Sequence, residues 1–422
     1  MLHTVIIGNG IGGNAVAFGL RKHDPNAKIT IVTRENCPEY EPGALPYYIS
    51  GVKARQEIFL TKLDDYPNNN INLVVDTAKG VDPKQKKLYL DGGHELAYDN
   101  LVIAAGGNLV MPPFKGIEKE GIFGCKVIAD ADALYAREGK VAVVIGSGLI
   151  GIEASEALKK RGFEVYLLEV FGWIMPRNFD EYAAKKLEKG LAENGIHVLT
   201  DEKLVSINGG NKLESITTDK RSIKCDTIVL ATGVAPSTEL AKQAGAEIGL
   251  TRGIKVNEHC MSSVQDIYAC GDCAETTDAI TGDRTLIQLR HNALEQGEVI
   301  AKNCAGIPAV YKGAWAITRA HYFDTESVSI GRTFNGIEDK TDVEVIEREF
   351  GSDYCRLILD KGKLAGAQAI GKFSKDMGFL FSSMWRKDDL AEIRSQWDKV
   401  TNIISPYPWQ YRIIGRYMNL KS

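Results

Sequence analysis

The chain has 422 residues and a formal net charge of −4, with 25% charged and 44% hydrophobic residues. That balance leaves no basic footprint for nucleic acid and is ordinary for a soluble globular protein. At about 100–200 residues per domain the length predicts two to four domains, and no apolar run approaches the roughly 20 residues that span a bilayer. The chain enters a strand at MLHTVIIGNG, with neither a cationic segment nor a small-residue cleavage site, so no signal peptide is expected. Eight scattered cysteines fit a reducing cytoplasm better than a disulfide scaffold. No C-x₂-C-x₂-C run occurs, so the chain is not expected to carry an iron–sulfur cluster of its own.

The first informative segment is TVIIGNGIGGNAVAFGLRK, from Thr4. Thr4 to Ile7 reads as a buried parallel strand. Gly8-x-Gly10-x-x-Gly13 follows, then a helical pattern with Ala15, Phe18 and Leu20. A strand, a glycine turn and a helix are the context that a dinucleotide fingerprint requires. The first glycine allows a tight turn, the second lets backbone approach a pyrophosphate, and the third lets helix and strand pack closely. The helix N-terminus offers unpaired N–H groups to phosphate. With Ile11 and Gly12 between them, these residues form the first candidate site. A second strand, KITIVTRE, leads to Glu35, 22 residues past Gly13 and near the position of a ribose-hydroxyl ligand. Arg34 beside it is the alternative contact on the adenosine side.

The pattern recurs in VAVVIGSGLIGIEASEALKKRGFEVYLLEV. Gly146-x-Gly148-x-x-Gly151 follows the strand Val141 to Ile145, and Leu149 and Ile150 open a helix that runs to about Arg161 and stops at Gly162. The next strand, Glu164 to Leu168, delivers Glu169, 18 residues past Gly151. A carboxylate there accepts from a ribose 2′-hydroxyl and repels a 2′-phosphate. Val170, Phe171, Gly172 and Trp173 follow instead of an arginine, which predicts NAD over NADP. Two complete units imply two dinucleotides, most simply a flavin and a nicotinamide.

Three further segments strengthen the picture: YDNLVIAAGGNLVMPP (Tyr98 to Pro113), DTIVLATGVAPST (Asp226 to Thr238) and IYACGDCAE (Ile267 to Glu275). With the two glycine units, they make the chain resemble the two-dinucleotide flavoproteins: NADH oxidases, coenzyme A disulfide reductases and NADH:rubredoxin reductases. The likeness is strong to about residue 310 and weak beyond. It implies an α/β fold with two Rossmann-like domains, the NAD domain inserted in the FAD domain. The expected pieces are 1–112 and 250–308 for FAD, 113–249 for NAD and an α+β interface domain at 309–422. That last region would join a homodimer or a hetero-oligomer. The resemblance further implies FAD contacts at Ala105 and Gly106, where the chain leaves the FAD domain, and an NAD contact at Gly233 in the counterpart turn. It assigns Asp272 to the flavin side chain and a backbone contact near Val81 to the adenine. His291, Asn292 and Ala293 would start a helix whose dipole favours negative charge on the reduced flavin ring. Glu153 matches a family glutamate between flavin and nicotinamide.

The stretch YEPGALPYYISG, from Tyr40, carries the functional question. In the thiol-using relatives this loop resembles P-C-x-L-P-Y, with its cysteine over the flavin. Here it reads Pro42-Gly43-Ala44-Leu45-Pro46-Tyr47, so Gly43 holds the cysteine position and Cys37 is six residues upstream. Glycine forms neither a sulfenate nor a mixed disulfide. Disulfide, peroxide or persulfide reduction by the usual route is therefore not expected. What remains is hydride transfer between NAD(H) and FAD, with the rings stacked at roughly 3–3.5 Å, then electron exit from the flavin. An iron–sulfur protein partner or subunit is the favoured acceptor or donor. A free-standing NADH oxidase or small-molecule reductase, and a redox-responsive binding protein, are the alternatives.

Other patterns point to structure. Cys270-x-x-Cys273 is formally a redox spacing, but its Gly271-Asp272 belongs to the flavin motif, so both cysteines are expected in the core. His259 and Cys260 complete no familiar zinc frame, and the seven histidines show no H-x-x-x-H pair. Strands are predicted at 327–330, 343–350, 355–359 and 364–370, with helix near 374–403. The aromatic stretches 379–390 and 405–418 hold Trp385, Tyr407, Trp409, Tyr411 and Tyr417, read as core, dimer contact or docking surface. The pairs Arg386-Lys387 and Arg412/Arg416 would suit an acidic partner.

Overall fold

Two runs of β-branched and aliphatic residues sit at the centres of two parallel sheets in the computed structural model, which describes residues 2–390. Strands covered on both faces read as continuous apolar runs, as TVII and AVVI do. The strand His3–Ile7 pairs in parallel with Lys28–Thr33 and Asn100–Ile103. Ile71–Val75 and Ile267–Ala269 complete a five-stranded sheet. On it the helix Ile11–His23 packs against the helix Arg290–Cys304. Their approach depends on Gly297, where a Cβ would lie 2.6 Å from the Ala15 Cβ.

The second parallel sheet has the order Ile196–Leu199, Glu164–Leu168, Val141–Ile145, Thr227–Leu230, Ile122–Phe123. The helix Leu149–Lys160 follows its central strand, and Gly162 leaves the helix at φ +88°, a left-handed turn that glycine takes without strain. Both sheets show the expected doubly wound α/β character. A third five-stranded sheet is antiparallel throughout, in the order Ile317–Tyr322, Thr325–Gly331, Lys363–Ile370, Asp353–Asp360, Val343–Phe350.

The chain divides into two compact units: residues up to Tyr48, 52–110 and 233–315 in the first; 49–51, 111–232 and the described residues from 316 in the second. These borders differ from the expected ones. Residues 233–249 stay with the first unit because Val234–Pro236 pairs antiparallel with Gly107–Leu109 and Ala241 packs in a core with Val81 and Leu88. Residues 309–315 do so because the Tyr311 hydroxyl and the Trp315 N–H both donate to Asn292 Oδ1 at 3.0 Å.

The antiparallel sheet belongs to the second unit. Asp180 fixes it there: this buried carboxylate accepts from Gln368 Nε2 at 2.8 Å and from the N–H groups of Phe334 and Asn335. The strand Ile317–Tyr322 escaped the sequence reading because its buried face is Thr318, Ala320 and Tyr322, a weak alternation. The helix Met377–Arg386 ends where Lys387 turns left-handed. Tyr407, Trp409, Tyr411, Tyr417, Arg412 and Arg416, and the end of the predicted helix 374–403, lie outside the described residues.

Candidate functional site

In the first unit Gly8 leaves its strand at φ +113° and donates to the Val32 carbonyl at 2.8 Å. A Cβ on Gly8 would lie 2.2 Å from the Ala104 carbonyl oxygen, and one on Gly13 would lie 2.0 Å from that of Gly8. Packing demands both glycines. Gly10 differs, because a Cβ there meets nothing within 4 Å. Its bareness serves whatever approaches the backbone, the role of the middle glycine beside a pyrophosphate. Asn14, 2% exposed, donates from Nδ2 to the Asn9 carbonyl at 2.8 Å and leaves Oδ1 unpartnered. A buried acceptor without a donor fits a turn built to receive a hydrated ligand. Gly12 is buried, its Cβ position 2.9 Å from Cys270 Sγ, and Ile11 beside it is buried too.

Glu35 follows the second strand, half-buried, with the Tyr40 hydroxyl 3.3 Å from both carboxylate oxygens. Arg34 is exposed. A network that the sequence reading missed ties this region to the glycine turn. Asn9 donates to the Cys37 carbonyl at 3.1 Å and accepts from the Tyr66 hydroxyl at 3.0 Å, and that hydroxyl accepts from the Glu39 N–H at 3.0 Å. Glu39 is buried, and desolvation pushes its carboxyl up to about 7 against the opposing pull of Arg290.

Pro42–Ala44 forms a short 3₁₀ turn whose Glu41 cap accepts the Gly43 N–H. Pro42 and Gly43 are exposed. A Cβ on Gly43 would meet only Glu41 Oε1, at 3.6 Å, an ordinary contact. Packing therefore does not require glycine here.

Asp272 lies in the turn Gly271–Cys273 after the strand Ile267–Ala269, its carbonyl held by Gln288 Nε2 at 3.1 Å. Ala105 and Gly106 follow the strand Asn100–Ile103, and Gly106 has φ +64°. Val81 is buried in the antiparallel strand Ala78–Asp82, opposite Leu88. At the start of the helix 290–304 the side chains are committed to structure: His291 Nε2 and Asn292 Nδ2 both reach the Trp315 carbonyl, at 3.0 and 3.1 Å. The Ala293 N–H closes the first helical bond, to Leu289. By helix geometry the N–H groups of residues 290–292 have no intrahelical carbonyl, so the helix offers backbone to a ligand there.

The second unit repeats the logic. Cβ atoms on Gly146 and Gly151 would lie 2.4 and 1.9 Å from the Ala231 and Gly146 carbonyl oxygens, whereas Gly148 faces nothing within 4 Å. Leu149 and Ile150 form the first helical residues. Glu169, 7% exposed, is gripped by donors. Ser147 gives its N–H to Oε2 at 3.0 Å and its hydroxyl to the same oxygen, and the Phe171 N–H reaches Oε1 at 3.0 Å. The sequence reading singled out Glu169 but not Ser147; a hydroxyl at the second position of the glycine motif was the available signal. Gly233, expected with this site, is in the first unit, at φ +104° with its carbonyl accepting from Val110. Glu153 is half-buried on the helix Leu149–Lys160, and its Oε2 has no hydrogen-bond partner. Burial, and then the charge of Glu156, push it up to about 7.

A family model described as pyridine nucleotide-disulphide oxidoreductase matches residues 2–297. The chain belongs to this family. It is 36% identical over 321 residues to a protein named NADH oxidase from Methanocaldococcus jannaschii, covering 74% of this chain and 71% of the relative. It is 30% identical over 398 residues to the assimilatory nitrate reductase electron transfer subunit of Bacillus subtilis, covering 93% of this chain but only 50% of that relative. It therefore spans about half the length of that protein. Among solved structures, an NAD-dependent persulfide reductase from A. fulgidus superposes with TM-score 0.89 at 26% identity, over 99% of this chain and 84% of the other.

Membership makes the chain an NAD(P)H-dependent flavin oxidoreductase, with FAD and NAD(P)H as the family's cofactors. The two glycine turns fit such ligands on their own geometry: each has two glycines packed against carbonyl oxygens and a middle glycine facing open space. All eight cysteines are buried. Cys270 and Cys273 are core residues, and Cys273 Sγ donates to the Ile103 carbonyl at 3.3 Å. No described helix is long and apolar enough to cross a membrane.

Proposed function

We propose that this chain exchanges reducing equivalents between NAD(H) and an iron–sulfur electron-transfer protein or subunit through FAD, without a redox-active cysteine. What supports the reading is the turn Pro42–Ala44, exposed at Pro42 and Gly43 and offering no thiol; by the sequence resemblance, Gly43 holds the position of the cysteine in thiol-using enzymes. Burial also raises the thiols of the chain, to about 12 for Cys125, Cys225, Cys273 and Cys304, which opposes a thiolate route. The B. subtilis relative is named an electron transfer subunit, which supports a partner-dependent role.

FAD would supply the conversion of a two-electron hydride into single electrons. In this reading the first unit holds FAD through Gly8, Gly10, Ile11, Gly12, Gly13 and Glu35, with Asp272 on its side chain and the N–H groups at 290–292 offered as donors. The second unit holds NAD(H) through Gly146, Gly148, Leu149, Ile150 and Gly151, with Glu169 on the adenosine ribose. Glu153 is the proposed positioning carboxylate near the nicotinamide. Region 309–422 is the proposed interface for a second copy or a complex partner. Its edge strand Val343–Phe350 leaves Phe350 83% exposed.

The name of the M. jannaschii relative favours a second reading, a free-standing NADH oxidase. Stopped-flow reduction of the FAD-loaded chain by NADH separates the two. Fast flavin reduction with slow turnover in air, accelerated by an added iron–sulfur protein, is the expected result. Rapid NADH oxidation in air by the chain alone would sink the proposal. Slow turnover with every acceptor would point to a redox-responsive binding role instead.

A further inference from the structure

We propose that Ser147 is a specificity-determining positioning residue of the nicotinamide dinucleotide site, acting through Glu169; the proposal rests on the reading that the second glycine turn holds NAD(H). Ser147 is fully buried between Gly146 and Gly148. Its N–H and its hydroxyl both donate to Glu169 Oε2. A carboxylate oxygen has two acceptor positions, so Ser147 fills Oε2 completely. Oε1 takes one bond, from the Phe171 N–H at 3.0 Å, and keeps one position open. The backbone of Glu169 is pinned as well: its N–H donates to the Leu199 carbonyl at 2.8 Å, and its carbonyl accepts from the Glu202 N–H at 3.0 Å.

The result is a carboxylate in one orientation, with a single acceptor position left for one ligand hydroxyl. The first glycine turn is wired differently. There Asn9, the counterpart of Ser147, sends its amide to the Cys37 carbonyl and accepts from Tyr66, and Glu35 is approached by Tyr40. Ser147 thus makes the second turn selective for a ribose whose 2′-hydroxyl is unsubstituted. A 2′-phosphate, mostly dianionic at neutral pH, brings about −1.5 to −2 charges against Oε1.

The test uses the FAD-loaded protein and calorimetric binding of ADP-ribose and of its analogue lacking the adenosine 2′-hydroxyl, so no turnover enters the readout. Wild type should bind ADP-ribose more tightly than the analogue. Ser147→Ala should weaken ADP-ribose by roughly three- to tenfold, the worth of one net hydrogen bond, and change the analogue by less than about twofold. In a Glu169→Gln background the same substitution should add less than about twofold. Ser147→Gly, which also removes the hydroxyl, carries the same expectation if the alanine variant does not fold. Equal weakening of both ligands by Ser147→Ala, or no weakening, would overturn the positioning role while leaving the NAD reading intact. A wild type that binds the two ligands equally would overturn the reading of Glu169 and the proposal with it.

Discussion

Arg290 donates through Nε to Glu41 Oε2 at 2.5 Å, and the other oxygen of the same carboxylate accepts the Gly43 N–H at 3.4 Å. One side chain therefore couples the turn carrying Gly43 to the first residue of the helix 290–304. Arg290→Ala should free that turn. The partly exposed pair is worth about 0–1 kcal/mol, so global stability should change little. Hydrogen–deuterium exchange at the amides of Gly43 and Ala44 should rise several-fold, and unchanged exchange would show that the turn holds itself.

The same cation pulls down the carboxyl of Glu39, which burial has pushed up to about 7. A carboxyl raised above its unfolded value of 4.5 binds protons more tightly in the folded chain. Its contribution to stability is then present below about pH 4.5 and is lost as pH rises toward 7. Glu153, also raised to about 7, adds in the same direction. Glu39→Gln and Glu153→Gln should each raise the thermal midpoint at pH 8 relative to wild type, and the difference should shrink toward pH 5. Differential scanning calorimetry across that window measures it, and a difference that grows on acidification would contradict the sign.

Gly43→Cys tests the meaning of the turn. The new Cβ has only an ordinary contact 3.6 Å from Glu41 Oε1, so the variant should fold with a stability change within about 0.5 kcal/mol. It should gain NADH-dependent reduction of a small disulfide, with wild type at background. A variant that folds, keeps FAD and reduces no disulfide would mean that residue 43 is not the position of the missing thiol.

The glycines separate into two kinds. Gly151→Ala drives a Cβ to 1.9 Å from the Gly146 carbonyl oxygen and should cost about 1–3 kcal/mol or more. Gly148→Ala meets nothing within 4 Å. It should leave the unfolding midpoint in place while weakening NADH binding at least about tenfold. Urea titration and NADH binding on both variants would show the split, and equal stability losses would erase it.

Glu169→Arg should shift the ratio of NADPH to NADH turnover upward by at least about tenfold, because it replaces the hydroxyl acceptor by a phosphate-compatible cation. Steady-state kinetics with both coenzymes decide it. A wild type that already prefers NADPH would mean that the carboxylate does not read the ribose.

Much of this was legible in sequence because glycine spacing reports backbone geometry directly. Gly8, Gly13, Gly146 and Gly151 sit against carbonyl oxygens, and no other residue type fits, so the motif and the fold are the same statement. Val141–Ile145 is legible to the residue because a strand covered on both faces is apolar without interruption, and Glu164–Leu168 because Val165 to Leu168 form a β-prone run after an exposed Glu164. The unit borders were not readable. They depend on the pairing of Val234–Pro236 with Gly107–Leu109, a contact between segments over 120 residues apart. The roles of His291 and Asn292 were equally hidden, since only the fold brings the Trp315 carbonyl to their side chains. Ser147 was missed for a different reason: its partner is fixed by the side-chain geometry of Glu169, which spacing does not encode.

The burial of all eight cysteines gives the protein a chemically quiet exterior. Maleimide or iodoacetamide reagents attack thiolates that solvent can reach, and the native chain presents none of its cysteines to them. A single cysteine introduced at an exposed residue would therefore be the sole reactive handle, with no need to strip out native thiols first. A fluorophore or spin label could be placed at Phe350, or beside the turn at Pro42, and its signal would report one position in a working, unaltered background.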